Sequence, residues 1–358
     1  MKTTFLGPTG LRVSEYALGT MTFGTELGWG ADKAESRKIF DAYAEAGGNF
    51  IDTANQYTGG TAERMVGEFV GPERDRWVIA TKYTTSQDKT DPNGGGNQAK
   101  SMRHALDASL KRLGTDYIDL YFVHMFDGFT PIEECLRALD DAVRAGKILY
   151  VGLSDFPAWM VARGDLYADI KNLTRPACIQ IEYNLAFREA ERELVPMADS
   201  LGLSVMNWSP LGAGALSGKL IRPTPAENYE GRVASGAVAR NFDKYKADPT
   251  NAIVRELIAC ADEMGATPAQ LALAWLRAKS DANIPIIGAR SVRHVEDNLA
   301  AAALTIPTPV MDRLEAVSAP DLGFPLAFLR GGQQAWQGDQ PKRLDPRARP
   351  AGRRMLGL

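Results

Sequence analysis

The 358-residue sequence predicts an α/β protein whose strands close into a (β/α)8 barrel. Two observations carry this. Short apolar runs alternate with longer segments of helical period, and eight such runs occur, each followed by a helical stretch or by a loop leading to one. Eight βα units in series point to a closed barrel rather than an open sheet. The length is ordinary for an α/β barrel built as one unit, and a hydrophobic content of 45% is ample for a large core.

The opening "TTFLGPTGLRV" (3–13) alternates around a Gly-Pro turn and is expected to be a hairpin outside the barrel. The strands follow as "EYALGT" (15–20), "NFIDT" (49–53), "WVIATK" (77–82), "YIDLYFVH" (117–124), "ILYVGLS" (148–154), "CIQIEY" (178–183), "LSVMNWS" (203–209) and "IPII" (284–287). Helices are expected over 32–47, 61–70, 97–113, 131–145, 190–201, 251–264, 268–279 and 292–303. In "EAGGN" and "RAGK" a glycine stands just past the last periodic residue, where a left-handed cap needs it. Two long irregular stretches, 212–248 and 318–358, interrupt the rhythm and are assigned to functional loops. Residues 1–330 are read as one barrel domain and 331–358 as a basic tail. Its end, "PKRLDPRARPAGRRMLGL", has six basic residues, one acid and three prolines, and is expected to be disordered, with an interaction tail as the alternative.

A formal net charge of −3 and a pI near 5.8 leave no electrostatic footprint for nucleic acid or an anionic membrane over the body of the chain. Cys135, Cys178 and Cys260 are scattered, which suggests neither a disulfide framework nor a metal site. There is no apolar run long enough to span a bilayer and no basic region followed by an apolar stretch at the start, so the expectation is a cytoplasmic protein.

Polar residues collect at the ends of the second to fourth barrel strands. Asp52 follows one strand, Tyr57 sits in the loop after it, and Lys82 and His124 close the next two. In a parallel barrel these ends share one face, so four residues far apart in sequence converge. A lysine cation near Tyr57 favours the phenolate, and Asp52 can hold that lysine charged and oriented. Such a tyrosine suits general acid catalysis on a carbonyl oxygen that His124 positions. None of the four is a strong nucleophile, so the set suits proton donation beside hydride transfer from a cofactor. Taken singly, each has a plain structural role as a cap, a packing ring or a solvated cation.

The chain resembles the aldo-keto reductase family over residues 1 to 330, on "GTMTFG" (19–24), "NFIDTANQYTGGTAE" (49–63), "VIATK" (78–82), "SLKRLGTDYIDLYFVH" (109–124), "AGKILYVGLSD" (145–155), "QIEYN" (180–184), "WSPLGAGALSGK" (208–219) and "IPIIGARSVRHVEDNL" (284–299). The last two are similar to the branch holding bacterial aldehyde reductases and potassium-channel β subunits. The resemblance implies a TIM barrel, carbonyl reduction with NADP(H), NAD(H) not being excluded, and a catalytic tetrad of Asp52, Tyr57, Lys82 and His124. It implies a cofactor site of Thr20, Met21, Asp52, Ser154, Asp155, Gln180, Trp208, Ser209, Pro210, Leu211, Gly212, Gly214, Lys219, Gly288, Arg290, His294, Asp297 and Asn298.

Trp208 would stack on the nicotinamide ring. Asp155 stands where many relatives carry Asn or Arg, and His294 replaces an arginine used in some branches. Phe23, Trp29, Tyr83, Met125 and Phe126 are expected to wall an apolar substrate pocket, with Phe324 and Phe328 closing it. The partner is a small carbonyl or alcohol substrate. The competing reading is a slow-turnover, cofactor-binding regulatory or redox-sensing subunit.

Overall fold

The chain begins with β1 (Thr3–Phe5) and β2 (Arg12–Ser14), the antiparallel hairpin expected from the Gly-Pro turn. The computed structural model describes residues 1–86, 88–219, 221–222, 243–246 and 248–329. The basic tail and most of the irregular 212–248 stretch therefore lie outside the described residues. The hairpin covers the end of the barrel where strands begin: Gly7 N donates to Ser204 Oγ at 2.7 Å. With φ of 53°, a Cβ at Gly7 would run into the Ala177 carbonyl, so only glycine lets the turn approach.

Among the described residues, eight strands close a parallel barrel: β3 (Ala17–Gly19), β4 (Phe50–Asp52), β5 (Val78–Tyr83), β6 (Ile118–Val123), β7 (Ile148–Ser154), β8 (Pro176–Glu182), β9 (Ser204–Trp208) and β10 (Asn283–Gly288). β10 pairs with both β9 and β3 and so completes the ring. Helices wrap it: α1 (Lys33–Glu45), α2 (Thr61–Val70), α3 (Ala99–Leu113), α4 (Ile132–Arg144), α5 (Ala158–Ile170), α6 (Leu194–Leu201), α7 (Asp248–Glu263), α8 (Pro268–Lys279), α9 (Val292–Ala300) and α10 (Thr308–Val317). None of the described helices is long and apolar enough to cross a membrane.

The predicted glycine stops hold, with Gly47 at φ 84° and Gly146 at φ 71°. Two helices escaped the sequence reading for physical reasons. α5 exposes Trp159, Leu166 and Ile170 while burying Met160, Val161 and Ala168, which blurs any apolar stripe. α10 is short and begins beside Pro307 and Pro309, residues that otherwise mark loops. α6 starts four residues later than expected, after a 3₁₀ turn over Glu189–Glu191.

Strand period sorts the core into two. Ile51, Ile79, Tyr121, Val123, Ile179, Ile181 and Val205 face outward against the helices. Phe50, Ala80, Phe122, Cys178, Met206 and Ile286 fill the barrel interior. Asp52, Lys82, His124, Gln180 and Trp208 each lie two residues beyond an interior residue, so alternation alone sends them to the same inner face, above an apolar floor.

Gly152 belongs to that floor: a Cβ there would collide with the Phe122 ring. Gly152→Ala is expected to lower stability by about 1–3 kcal/mol through overpacking, as measured by denaturant unfolding. An unchanged midpoint would mean that the interior has room to spare.

Candidate active site

Asp52 ends β4 and Lys82 lies near the end of β5, so the two meet across neighbouring strands. Lys82 is fully buried and Asp52 is nearly so. The ammonium donates to Asp52 Oδ2 at 2.7 Å, to the Thr53 carbonyl at 2.7 Å and to Tyr57 OH at 3.2 Å. All three of its hydrogens are used. Burial works to lower the Lys82 pKa, but the Asp52 carboxylate and the Tyr57 phenol outweigh it, and the net shift is upward. The stability this cation contributes is complete below its ordinary pKa and is lost only as pH rises through the higher folded value.

Asp52 Oδ1 accepts from Gln180 Nε2 at 2.8 Å, a bond between strands on opposite sides of the barrel. The loop bearing Tyr57 turns sharply, with Thr58, Gly59 and Gly60 at φ 48°, 62° and 88°. Thr58 Oγ1 ties this turn to the Phe23 carbonyl and to Ala62 N. One turn into α2, Glu63 is fully buried; it accepts from Thr81 Oγ1 at 2.6 Å and pairs with Arg112 of α3 at 2.5 Å. That triad locks α2, and so the Tyr57 turn, onto the strand that carries Lys82.

His124 lies one residue past β6, its backbone N donating to Thr84 Oγ1 at 3.1 Å. Its ring meets that of Tyr57 edge-on, centroids 6.2 Å apart. Burial, with Lys82 adding to it, pushes the imidazole pKa down to about 3, so His124 is neutral at ordinary pH. Nδ1 is buried with no hydrogen-bond partner among the described residues.

Several of the expected cofactor residues stand at or just past the ends of β3, β7, β8 and β9. Ser154 and Gln180 are register partners on β7 and β8; Ser154 Oγ is buried and unpaired among the described residues. Thr20 Oγ1 donates to the Asp52 carbonyl, with half-buried Met21 next to it. Trp208 is half-buried at the end of β9, and its Nε1 donates to Asp155 Oδ1 at 3.0 Å. Asp155 is an exposed residue, yet the protein around its carboxyl pushes its pKa up to about 6. Beyond Trp208 the backbone takes left-handed conformations at Ser209, Gly212, Ala213 and Gly214, flanking the buried Pro210 and half-buried Leu211.

At the end of β10, the exposed Gly288 leads into Arg290 and α9, and Asn298 Nδ2 reaches back to the Gly288 carbonyl at 3.4 Å. The His294 pKa is lowered by burial first and then by the charges of Lys219, Arg290 and Arg293. Residues from two separate loops thus gather positive charge at one place. Asp297 accepts from Thr267 Oγ1 and from Gln270 Nε2, the latter at 2.7 Å, and so braces the start of α8.

Among the expected pocket residues, Phe23 and Tyr83 require correction. Both are fully buried: Phe23 packs edge-on against Phe69, and Tyr83 stacks on Tyr121 with centroids 5.4 Å apart. Tyr83 falls on the outward parity of β5, and Phe23 packs into the outer core against α2. Trp29 is buried at the rim, Met125 is exposed, and Phe126 is half-buried against Phe156. Phe324 and Phe328 are exposed and lie against each other.

Sequence reasoning missed the Thr53 carbonyl, the Gln180 bond to Asp52, the Glu63 triad and the Asp155 bond to Trp208. Alternation could have brought Gln180 to the Asp52 face, because Cys178 and Phe50 precede them on the same parity. Nothing in the sequence signals the other three.

The mouth of a closed parallel barrel thus carries an acid, a lysine, a tyrosine and a neutral histidine at its strand ends. The model of the Aldo/keto reductase family matches residues 16–319, and the chain belongs to that family. It is 37% identical over 345 residues to norsolorinic acid reductase stcV of Emericella nidulans, spanning 93% of this chain and 86% of the relative. It is 35% identical over 342 residues to aryl-alcohol dehydrogenase [NADP(+)] of Phanerodontia chrysosporium, spanning 90% and 87%. It is 32% identical to putative aryl-alcohol dehydrogenase AAD14 of Saccharomyces cerevisiae, spanning 94% and 90%.

Lys82→Met leaves the Asp52 carboxylate buried without its cation. The expected loss near neutral pH is about 3–5 kcal/mol by denaturant unfolding. Adding Asp52→Asn should restore much of it, since the stranded charge is gone. A double variant no more stable than Lys82→Met would show that packing, not charge, was lost.

Proposed function

We propose that the protein reduces aldehyde or ketone carbonyls to alcohols with NADP(H), acting on aryl-bearing substrates with Tyr57 as proton donor. The observation that carries this reading is the chain from the buried Asp52 and Lys82 to the half-buried Tyr57 at the barrel mouth, beside a neutral His124. When bound, the reduced nicotinamide supplies the hydride. Tyr57 OH accepts from Lys82, so its own proton can pass to a developing alkoxide, and the ammonium stabilises the phenolate left behind. Asp52 and the Thr53 carbonyl keep that ammonium in place. His124 donates to the same carbonyl oxygen and orients it. The aryl preference comes from the names of the relatives.

The residues fit a nicotinamide dinucleotide. Ser154 Oγ, buried and without a partner among the described residues, and the Gln180 amide would hold the carboxamide, and Trp208 offers a flat apolar face for the ring. The left-handed backbone at Gly212 and Gly214 lets N–H groups approach a pyrophosphate. Lys219, Arg290 and His294 would hold the 2′-phosphate, whose charge would offset the repulsion that, after burial, lowers the His294 pKa. Thr20, Met21, Ser209, Pro210, Leu211, Gly288 and Asn298 would flank the dinucleotide, and Asp297 would reach the adenosine while bracing α8. Trp29, Met125 and Phe126 would line the substrate side.

Loss of NADPH absorbance with aromatic aldehydes, aryl ketones and aliphatic carbonyls tests the reading, and no turnover with any of them would reject it. Tyr57→Phe is expected to lower kcat by about 10²-fold or more while leaving cofactor affinity unchanged. Arg290→Ala should weaken NADP(H) binding by about ten- to hundredfold and spare NAD(H). Equal loss of both cofactors would move the 2′-phosphate contact elsewhere.

A further inference from the structure

Asp155 stands one residue past β7 with φ of 52°, the left-handed region. Two main-chain bonds hold it there: its N donates to the Gln180 carbonyl at 3.1 Å, and Phe126 N donates to its carbonyl at 3.4 Å. From this fixed base its carboxylate accepts the indole N–H of Trp208. An indole has a single donor, and Trp208 is only half-buried, so packing on its own leaves the ring freedom to tilt. One directional hydrogen bond to a strained, well-anchored acid removes that freedom.

We propose that Asp155 is a positioning residue that acts through Trp208, fixing the indole plane against which the nicotinamide ring lies, and that its ionisation tightens this hold. The inference rests on the reading of Trp208 as the surface under that ring. A charged acceptor makes a hydrogen bond roughly twice as strong as a neutral one, so protonation of Asp155 loosens the indole.

The groups facing the carboxyl come from several elements. Glu182 of β8, the register partner of Trp208, opposes the anion, while Lys82 of β5 and Lys244 of the segment after β9 favour it. Glu182 is itself held by Lys244 and by Tyr245 OH, and His124 is neutral. Burial outweighs these and raises the carboxyl above its ordinary value. For a carboxyl raised in the folded state, the linked stability is present at low pH and is lost as pH rises through about 6.

The chain has six tryptophans, so the Trp208 emission is taken as the difference between the protein and its Trp208→Phe variant, without cofactor. Titrated from about pH 4.5 to about pH 8, across the raised carboxyl range, that difference should step once with a midpoint near 6. Asp155→Asn keeps an acceptor oxygen and tolerates the left-handed backbone; its emission should be flat, and its melting temperature at the alkaline end should exceed that of the unaltered protein. Asp155→Gly also suits this φ but removes the acceptor altogether; it should hold the indole less firmly than the low-pH form does and raise the KM for NADPH by about three- to tenfold. A step that persists in Asp155→Asn, a lower melting temperature for that variant at alkaline pH, or an unaltered KM in Asp155→Gly would overturn the proposal. A step found in a protein that turns over no carbonyl would support the Asp155 hold and reject the reductase reading. Turnover with a flat titration would do the reverse.

Discussion

A lysine ammonium with no exposure to water governs the architecture of this barrel mouth. Alone in that place it would shed its proton, because burial disfavours the charged form. Asp52 on the neighbouring strand, the Thr53 carbonyl and the Tyr57 hydroxyl complete its shell, and the charge survives. Each partner imposes a demand on the chain. The carboxylate needs Gln180 from across the barrel, and the phenol needs a turn tight enough to require successive left-handed residues. The turn in turn depends on Glu63 and Arg112, a second buried pair that fastens α2 beside Lys82.

The interior packing makes this shell effective. Phe50, Ala80, Phe122, Cys178 and Met206 form an apolar floor directly beneath the charged layer, and the N-terminal hairpin covers the far end. Charges at the mouth therefore have no aqueous path below them, and their mutual interactions are screened less than at a surface. The same dryness keeps His124 neutral and makes it a donor rather than a cation. Positive charge is spent instead at the outer rim, where Lys219, Arg290 and Arg293 surround His294.

Much of this was legible beforehand. All eight barrel strands follow from apolar runs bounded by polar ends, and the parallel topology then forces Asp52, Lys82 and His124 onto one face. Helix α5 was not legible, since its exposed Trp159, Leu166 and Ile170 erase the stripe by which a surface helix is recognised. Phe23 and Tyr83 were misjudged because closeness to a strand end does not say which way a ring points. Tyr83 lies next to Lys82 and, by alternation, on the opposite face.

The sequence by itself determined the strand count, the inner-face parity of the polar residues and the chemistry of an acid, a lysine, a phenol and an imidazole. These depend on local period and residue type, which the chain carries without reference to its distant parts. Only the tertiary structure decided that Thr53 lends its carbonyl to Lys82, that Gln180 spans the barrel to Asp52, that Glu63 fastens the tyrosine turn, and that Asp155 holds the Trp208 indole. Those bonds join residues on different elements within about 3 Å, the span of a hydrogen bond. Such distances are set by barrel closure and helix packing together, and no local pattern encodes them.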